Sequence, residues 1–594
     1  MKKNRRKSKK ARAQESAGLF FDRTKRSDAV AGQNEFLRRY WATIALCLVV
    51  AAGAALRLVW LDAVPPALHA DEAPNAWNAY TLLKAGMDQY GIHWPIFYIR
   101  AFGDNRSTLF MYMMMPFQAI GGLNVWTTRL PAVVASLFAI VLIYYVGARL
   151  FGRAVGIAAA ALLAFNPWHI QMSRWGHEAT IVPLLVILPV AALLWANLPL
   201  ADEEYGPRPI RAGLAGAVAG IVCYGYQVVR LFVPLLLVAA VLFNLSAWAR
   251  QLKSRAGAAS LAAFVVAAAL TFGPLLYKHL TDPEIGRRGQ MQTMLWSESD
   301  STGQRATKIF ARYAGHFGVD FLFLHGDNNV ALSPPAGYGQ FLWSDLPLML
   351  LGLFACLKRA RWSPASRLLL LWLALYPVGD LIYDYPAMHA LRSLPGLPAF
   401  VLIAAIGAVT AVNWLWVRSQ LGRVALCGAA LLIIVLNVRF VNGFFNDDFA
   451  RQKGIQNIFP NDILQAAEWL RPHLDEADAV FITGAAIHPD IVSLVGLSYD
   501  PKKWFAEPRE LLQGPLKTGA FKDAYIYPRY GKIRFFFDDA GLDALNGLAA
   551  NGRQDHVILI VRPGEIDFGK PVQPVRQIRN ARNQVTLWII DTML

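Results

Sequence analysis

The chain has 594 residues, of which 55% are hydrophobic and 17% charged, and a mean hydropathy of +0.33. Soluble domains carry about 25% charged residues, so the composition excludes a soluble enzyme and implies a polytopic membrane protein with a soluble part. The net charge of +17 does not call for nucleic acid, because much of it sits in Lys2, Lys3, Arg5, Arg6, Lys7, Lys9 and Lys10 and in short loops between apolar stretches.

Residues 1–40 form a basic tail, as expected of a cytoplasmic segment facing anionic lipid. The first apolar stretch, 41–61, exceeds the roughly 7–15 residues of a signal-peptide core and reads as an uncleaved helix. Just beyond it lies the acidic pair Asp71-Glu72. Read alone, Asp71 serves equally well as the N-cap of a helix that admits Pro74 in its first turn. Read with the rest of the chain, two carboxylates at a membrane surface suggest proton transfer on a substrate arriving through lipid.

Further stretches of spanning length occur near 130–148, 155–171, 179–198, 211–225, 231–249, 257–277, 341–357, 366–382, 396–416 and 424–438. With 41–61 they make about eleven transmembrane helices in a domain over 41–439. Every second loop is basic: Arg149 and Arg153; Arg208 and Arg211; Arg250, Lys253 and Arg255; Lys358, Arg359, Arg361 and Arg367; Arg418 and Arg423. The positive-inside rule puts these loops in the cytoplasm. That register requires 107–122 not to cross. It is read as a helix lying on the outer surface, as is 71–86, where Ala76, Ala79, Tyr80 and Leu83 recur at helical spacing.

The alternate loops then hold Asp71, Glu72, Arg129, Arg174, His177, Glu178, Tyr226, Arg230, Lys278, His279, His389 and Arg392, all on the outer face. Any one could be an interfacial anchor. Together they read as one site assembled from several span ends. The four cysteines, Cys47, Cys223, Cys356 and Cys427, lie in apolar runs, and no zinc-type Cys/His spacing occurs. Residues 440–594 alternate β-rich runs (479–483, 524–527, 533–537, 557–561, 586–590) with helical stretches such as 462–471, which predicts an outer α/β domain with a turn at Pro563-Gly564.

Five groups of motifs bear on family. They are His69-Ala70-Asp71-Glu72-Ala73; Thr128-Arg129-Leu130-Pro131; Asn166-Pro167-Trp168-His169 with Ser173 to Glu178; Tyr224-Gly225-Tyr226-Gln227 with Arg230 to Pro234; and His389-Ala390-Leu391-Arg392 with Leu394-Pro395-Gly396. Spread over about 40–440, they resemble the GT-C class of membrane glycosyltransferases, in particular the bacterial protein-mannosyltransferase-like branch related to the lipid A aminoarabinose transferase. The resemblance implies a polyprenyl-phosphate-sugar donor, an acceptor glycan, lipid or protein at the outer face of the bacterial inner membrane, and transfer with inversion. It implies Asp71 as catalytic base, with Glu72 sharing the proton or steering the acceptor, and Arg129 near the donor. Charge and sidedness add Arg174, His177, Arg230, His389 and Arg392 as donor-phosphate ligands, and Glu178 and Tyr226 as sugar or acceptor contacts. Arginines gripping the phosphate would replace a metal, so no cofactor is expected. Two other readings stay open: a flippase for lipid-linked saccharides, and an oligosaccharide ligase.

Overall fold

The computed structural model describes residues 35–593 apart from 103, 202–205, 207, 286–293, 328, 330–337, 362, 385–387, 447–457, 515–523, 538, 551–553 and 568–571. The basic tail over 1–34 lies outside the described residues.

Helix covers each of the eleven apolar segments. Six helices are long and apolar enough to cross a bilayer: Arg39–Leu58, Val125–Phe151, Glu178–Trp195, Arg255–Thr281, Ala390–Trp416 and Gln420–Phe445. A seventh is added by length if Gln227–Leu242 and Leu245–Leu252, bent by 77°, count as one. Arg153–Phe165, Pro209–Tyr224, Pro364–Gly379 and Asp345–Arg359 are shorter, so length alone supports fewer spans than the eleven expected. Close packing joins several of them. A Cβ at Gly352 or Gly407 would strike the backbone of the facing helix, so these glycines let Asp345–Arg359 and Leu397–Arg418 meet backbone to backbone, as membrane helices often do.

The two helices expected on the outer surface are present, but one of them is buried. Leu109–Gly121 has 13 residues, about 20 Å of helix and too short for a bilayer of about 30 Å. Glu72–Ala85 packs against it, with Gln118 donating to the Ala76 carbonyl at 2.9 Å. The expected one-sided amphipathic helix is instead buried all round its first eight residues and beyond: Ala76, Trp77, Asn78, Ala79, Thr81 and Leu82 are all inside. The cause is the C-terminal domain, whose helices Pro489–Leu497 and Pro501–Ala506 cover the face that would have met solvent. Trp504 stacks edge-on against Trp77 at 5.6 Å and donates to the Gln89 carbonyl at 3.1 Å.

Ahead of Leu109–Gly121, β1 (Ile99–Ala101) and β2 (Asp104–Arg106) form a short antiparallel hairpin. The C-terminal domain is a mixed seven-stranded sheet. Its strands are β3 (Ala479–Thr483), β4 (Arg509–Gly514), β5 (Ala524–Tyr530), β6 (Ile533–Phe536), β7 (His556–Val561), β8 (Arg576–Arg579) and β9 (Val585–Met593), in the order β4-β5-β6-β3-β7-β9-β8. β3 lies at the centre, fully buried and parallel to both β6 and β7. Its residues Ala-Val-Phe-Ile-Thr read as a continuous apolar run, as a strand covered on both faces requires. β4 and β8 occupy the edges. Gly564 takes a left-handed backbone, φ +80°, in the turn expected there.

Candidate active site

The loop between the first helix and Asp71 is irregular and, from Val64 to Ala70, mostly buried, so its carbonyls need partners. Two arginines supply them. Arg129, without exposed surface, donates from Nη1 to Leu61 (2.7 Å) and Pro65 (2.8 Å), and from Nη2 to Ala67. Its Nε and second Nη2 hydrogen meet the two Glu72 carboxylate oxygens, each at 3.0 Å. All five guanidinium donors are thereby used. Arg174 donates to the carbonyls of Leu56 (3.0 Å), Val59, Trp60 and Val64 (each 2.8 Å), and Phe445 packs 4.9 Å from its guanidinium. Both arginines, expected on donor phosphate, are placed as clamps on the chain that presents Asp71.

Glu72 is equally committed. Its Oε1 also accepts from the Gly176 amide at 2.6 Å and its Oε2 from the His69 amide at 2.8 Å. A Cβ at Gly176 would meet the Thr128 carbonyl oxygen at 2.8 Å, so only glycine brings that amide so close. Asn75 completes the seam, donating to the Gly176 carbonyl and to Glu178, both at 3.1 Å.

Asp71 differs. Its side chain is 37% exposed, against 0% for Glu72 and 1% for Glu178. It stands at the N-cap position with helical φ and ψ of −81° and −22° and makes no side-chain cap bond. Its Oδ1 instead receives Arg106 Nη2 at 2.5 Å, while Arg106 Nη1 donates to its backbone carbonyl at 3.1 Å. The Asp71 amide donates to His69 Nδ1 at 2.9 Å. Burial alone would raise the Asp71 carboxyl. Arg106, with His69 and His177, outweighs burial and holds it well below the usual carboxylate range. Burial in turn lowers His69, whose ring lies 4.6 Å from Trp175.

Arg106 was not among the sequence candidates. It is 3% exposed, lies at the end of β2, and also comes within 3.9 Å of Glu178. Its only signal was one more arginine in an outer loop, on a hairpin too short to show alternation. Of the remaining candidates, Glu178, His177 and Arg230 lie beside it. His177 lies 3.6 Å from Glu178 and 6.3 Å, ring to ring, from Tyr226. Arg230 donates to Ser107 at 3.2 Å and to the Cys223 carbonyl at 3.1 Å, and its Nη1 makes no hydrogen bond among the described residues. Lys278 pairs with Asp282 at 2.8 Å.

His389 and Arg392 belong to a neighbouring cluster centred on Asp380, which is fully buried. Its Oδ2 receives Arg312 at 2.7 Å and the His389 amide at 3.2 Å, and its Oδ1 receives Arg392 at 3.2 Å; His316 Nε2 stands 3.3 Å from Oδ2. The Ala390–Ser393 turn packs against Glu178–Ile181, so the two clusters adjoin. Among the described residues no group of three or more His, Cys, Asp or Glu is placed to hold a metal ion.

The helices bring to one end an exposed carboxylate, a buried arginine fork and a bed of apolar side chains. The family described as Dolichyl-phosphate-mannose-protein mannosyltransferase matches residues 105–273, from the end of β2 to the long helix after the basic loop at 250–255. The ArnT of Cupriavidus metallidurans in the apo state superposes with a TM-score of 0.53 at 14% identity, covering 93% of this chain and 98% of that one. The same protein bound to undecaprenyl phosphate gives 0.49 at 13% identity, over 92% and 97%. The Archaeoglobus fulgidus oligosaccharyltransferase tethered with an acceptor peptide gives 0.47 at 10%, and the chain spans 64% of its length and 78% of its own. No curated protein matches the sequence. Over nearly its whole length the chain thus shares a fold with ArnT, and its 105–273 segment matches the mannosyltransferase family.

Proposed function

We propose that this chain transfers a sugar, with inversion, from a polyprenyl-phosphate donor to an acceptor glycan, lipid or protein at the outer face of a bacterial inner membrane. The observation that carries the reading is the Asp71–Arg106 pair: an accessible carboxylate gripped by a buried guanidinium at the end of a helical membrane bundle. The description of the matched family, a dolichyl-phosphate-mannose transferase, supports a lipid-phosphate donor.

The chemistry rests on the pair. A sugar hydroxyl is a poor nucleophile, and a carboxylate near its oxygen takes the proton as the new bond forms. The lipid phosphate leaves with growing negative charge. Arg106 is shared: when a phosphate enters, it competes with Asp71 for the guanidinium, and each bond moved to phosphate frees the carboxylate to accept a proton. Arg230, with a donor to spare beside Ser107, is the second phosphate ligand. His177, Tyr226 and Glu178 line the sugar side. Glu72, Arg129 and Arg174 hold the frame. The Asp380 cluster, through His389 and Arg392, backs the pocket. The reaction needs no metal, because guanidinium charge serves the leaving phosphate.

Sidedness rests on the two ends of the bundle. The helix with Arg129 at the site end carries Arg149 at the other, and each basic loop is likewise a full helix away from the site. Exposed Trp60, Trp94, Trp126 and Trp343 mark the site end, and Tyr40, Trp41, Trp195, Trp414 and Trp416 the opposite one, two girdles as at two membrane interfaces. We read all eleven apolar segments as crossings: Arg153–Phe165 is carried on past Asn166 by Pro167–Met172, and Pro209–Tyr224 and Pro364–Gly379 each end in a 3-10 turn.

The reaction is tested by incubating the purified chain with a polyprenyl-phosphate sugar and following free polyprenyl phosphate. Steady release coupled to a glycosylated product is expected. Movement of intact donor across vesicles without release would make it a flippase. A product carrying a whole preassembled glycan would make it a ligase.

A further inference from the structure

The sheet domain lies outside the matched segment, yet one of its residues reaches the Asp71 site. His488, between β3 and the helix Pro489–Leu497, stacks on Phe102 with ring centroids 3.6 Å apart and planes 24° apart. Phe102 sits in the β1–β2 turn, and the Arg106 guanidinium lies 5.8 Å from its ring. The stack thus links the sheet domain to the hairpin whose last residue, Arg106, grips Asp71. Both partners hold left-handed backbones, φ +47° at His488 and +53° at Phe102, which side chains with a Cβ seldom adopt. Such conformations persist where the surroundings over-determine them, and here two meet face to face. The helix that His488 opens packs on Glu72–Ala85, the helix that Asp71 starts. Behind the ring, buried Asp490 brings its Oδ1 3.9 Å from His488 Nδ1, while its Oδ2 accepts from the Tyr527 amide at 2.8 Å. Burial draws His488 down to about 4, against the opposite pull of Asp71.

We propose that the sheet domain completes the transfer site through His488, a positioning residue whose ring, stacked on Phe102, fixes the hairpin and so the grip of Arg106 on Asp71. The domain is therefore part of the catalytic machinery as well as a cover. The inference rests on the reading of Asp71 as base. Its action is indirect: a hairpin free to shift by about 1 Å would misplace the guanidinium, and shifts of that size cost on the order of 100-fold in rate.

The test uses the full-length chain and its donor turnover, with His488→Ala, His488→Phe, Phe102→Ala and the double Ala variant, and Asp71→Asn alongside. His488→Ala is expected to lower kcat by tenfold or more with the donor KM within about twofold. His488→Phe, which keeps the flat ring without its nitrogens, should recover most of that loss. Phe102→Ala should match His488→Ala, and the double variant should be no worse than either, because the two rings act as one unit. Wild-type kcat in both single Ala variants while Asp71→Asn is inactive overturns the inference and leaves the base assignment standing. Additive losses, or a rise in donor KM with kcat unchanged, also overturn it. Normal turnover in Asp71→Asn overturns the reading beneath it. Should His488→Ala fail to fold, Phe102→Ala and His488→Phe carry the same test.

Discussion

Three acidic side chains lie within the first turn of one helix or against it, and their surroundings give them different work. Glu72 accepts four hydrogen bonds and never meets solvent; Asp71 accepts one guanidinium and stays open. Glu72→Gln should therefore strip the buried Arg129 of its counter-charge and destabilise the fold by about 3–5 kcal/mol, which thermal unfolding in detergent would show. Asp71→Asn loses no cap bond but takes the charge from the pair with buried Arg106, so the melting temperature should fall by less than in Glu72→Gln, because Asp71 is part-exposed and Glu178 stays 3.9 Å from Arg106. Arg106→Lys keeps the charge and loses the planar fork, so donor turnover should fall at least tenfold while folding is kept. In the sheet domain, Asp490 is raised to about 7 by burial. Its unfolded value is near 3.9, so the folded state binds the extra proton between those values. The stability it contributes is complete below about pH 4 and is lost as pH rises through 7. Hydrogen-exchange protection of 479–497 in the full chain, taken relative to the unfolded rate at each pH, should fall from pH 5 to pH 8, and Asp490→Asn should flatten that dependence. Protection that does not change with pH in the wild type would contradict a folded-state carboxyl titrating near 7.

At the level of elements, the irregular loop at 56–67 is held by guanidinium groups from two distant helix ends. Arg174→Ala should expose that loop to hydrogen exchange while leaving the sheet domain protected. Turnover should fall less than in Arg106→Lys, because the clamp acts on the frame. Unchanged exchange at 56–67 would show that Arg129 alone suffices. Much of this architecture was legible in the residues. Hydropathy located each apolar helix, and β-branched runs located β3, β5, β6, β7 and β9. Charge alternation grouped loops that do meet at one end. What stayed hidden has physical causes. The edge strands β4 and β8 are rich in Arg, Gln and Glu, so they carry no apolar run. Sequence grouped Arg129, Arg174 and Arg230 as equals, because nothing in spacing tells which arginine will spend its donors on backbone carbonyls. Arg106 waited on a three-residue strand, and the Asp380 cluster on a helix, Thr302–Gly315, whose polar surface gives no membrane signal. Burial of Glu72–Ala85 could not be read locally either, since its cover lies some 400 residues further along the chain.

In the whole molecule, the sheet domain and the membrane bundle share one contiguous apolar core. Ser498 donates to the Leu123 carbonyl at 3.2 Å, and Phe459 packs 5.3 Å from the His69 ring. The domain and the site thus lie on the same side of the bundle, and a reporter fused after residue 593 should read as outside the cell membrane; a cytoplasmic signal would invert the sidedness. Truncation near Asn446 should leave a protein that binds donor through Arg106 and Arg230 but transfers poorly. The most direct test of the account is a paired measurement on the intact chain: donor binding and release of free polyprenyl phosphate in wild type and Asp71→Asn. The account predicts that the variant binds donor within a fewfold of wild type and releases carrier at least 100-fold more slowly. Release at the wild-type rate from Asp71→Asn would contradict it.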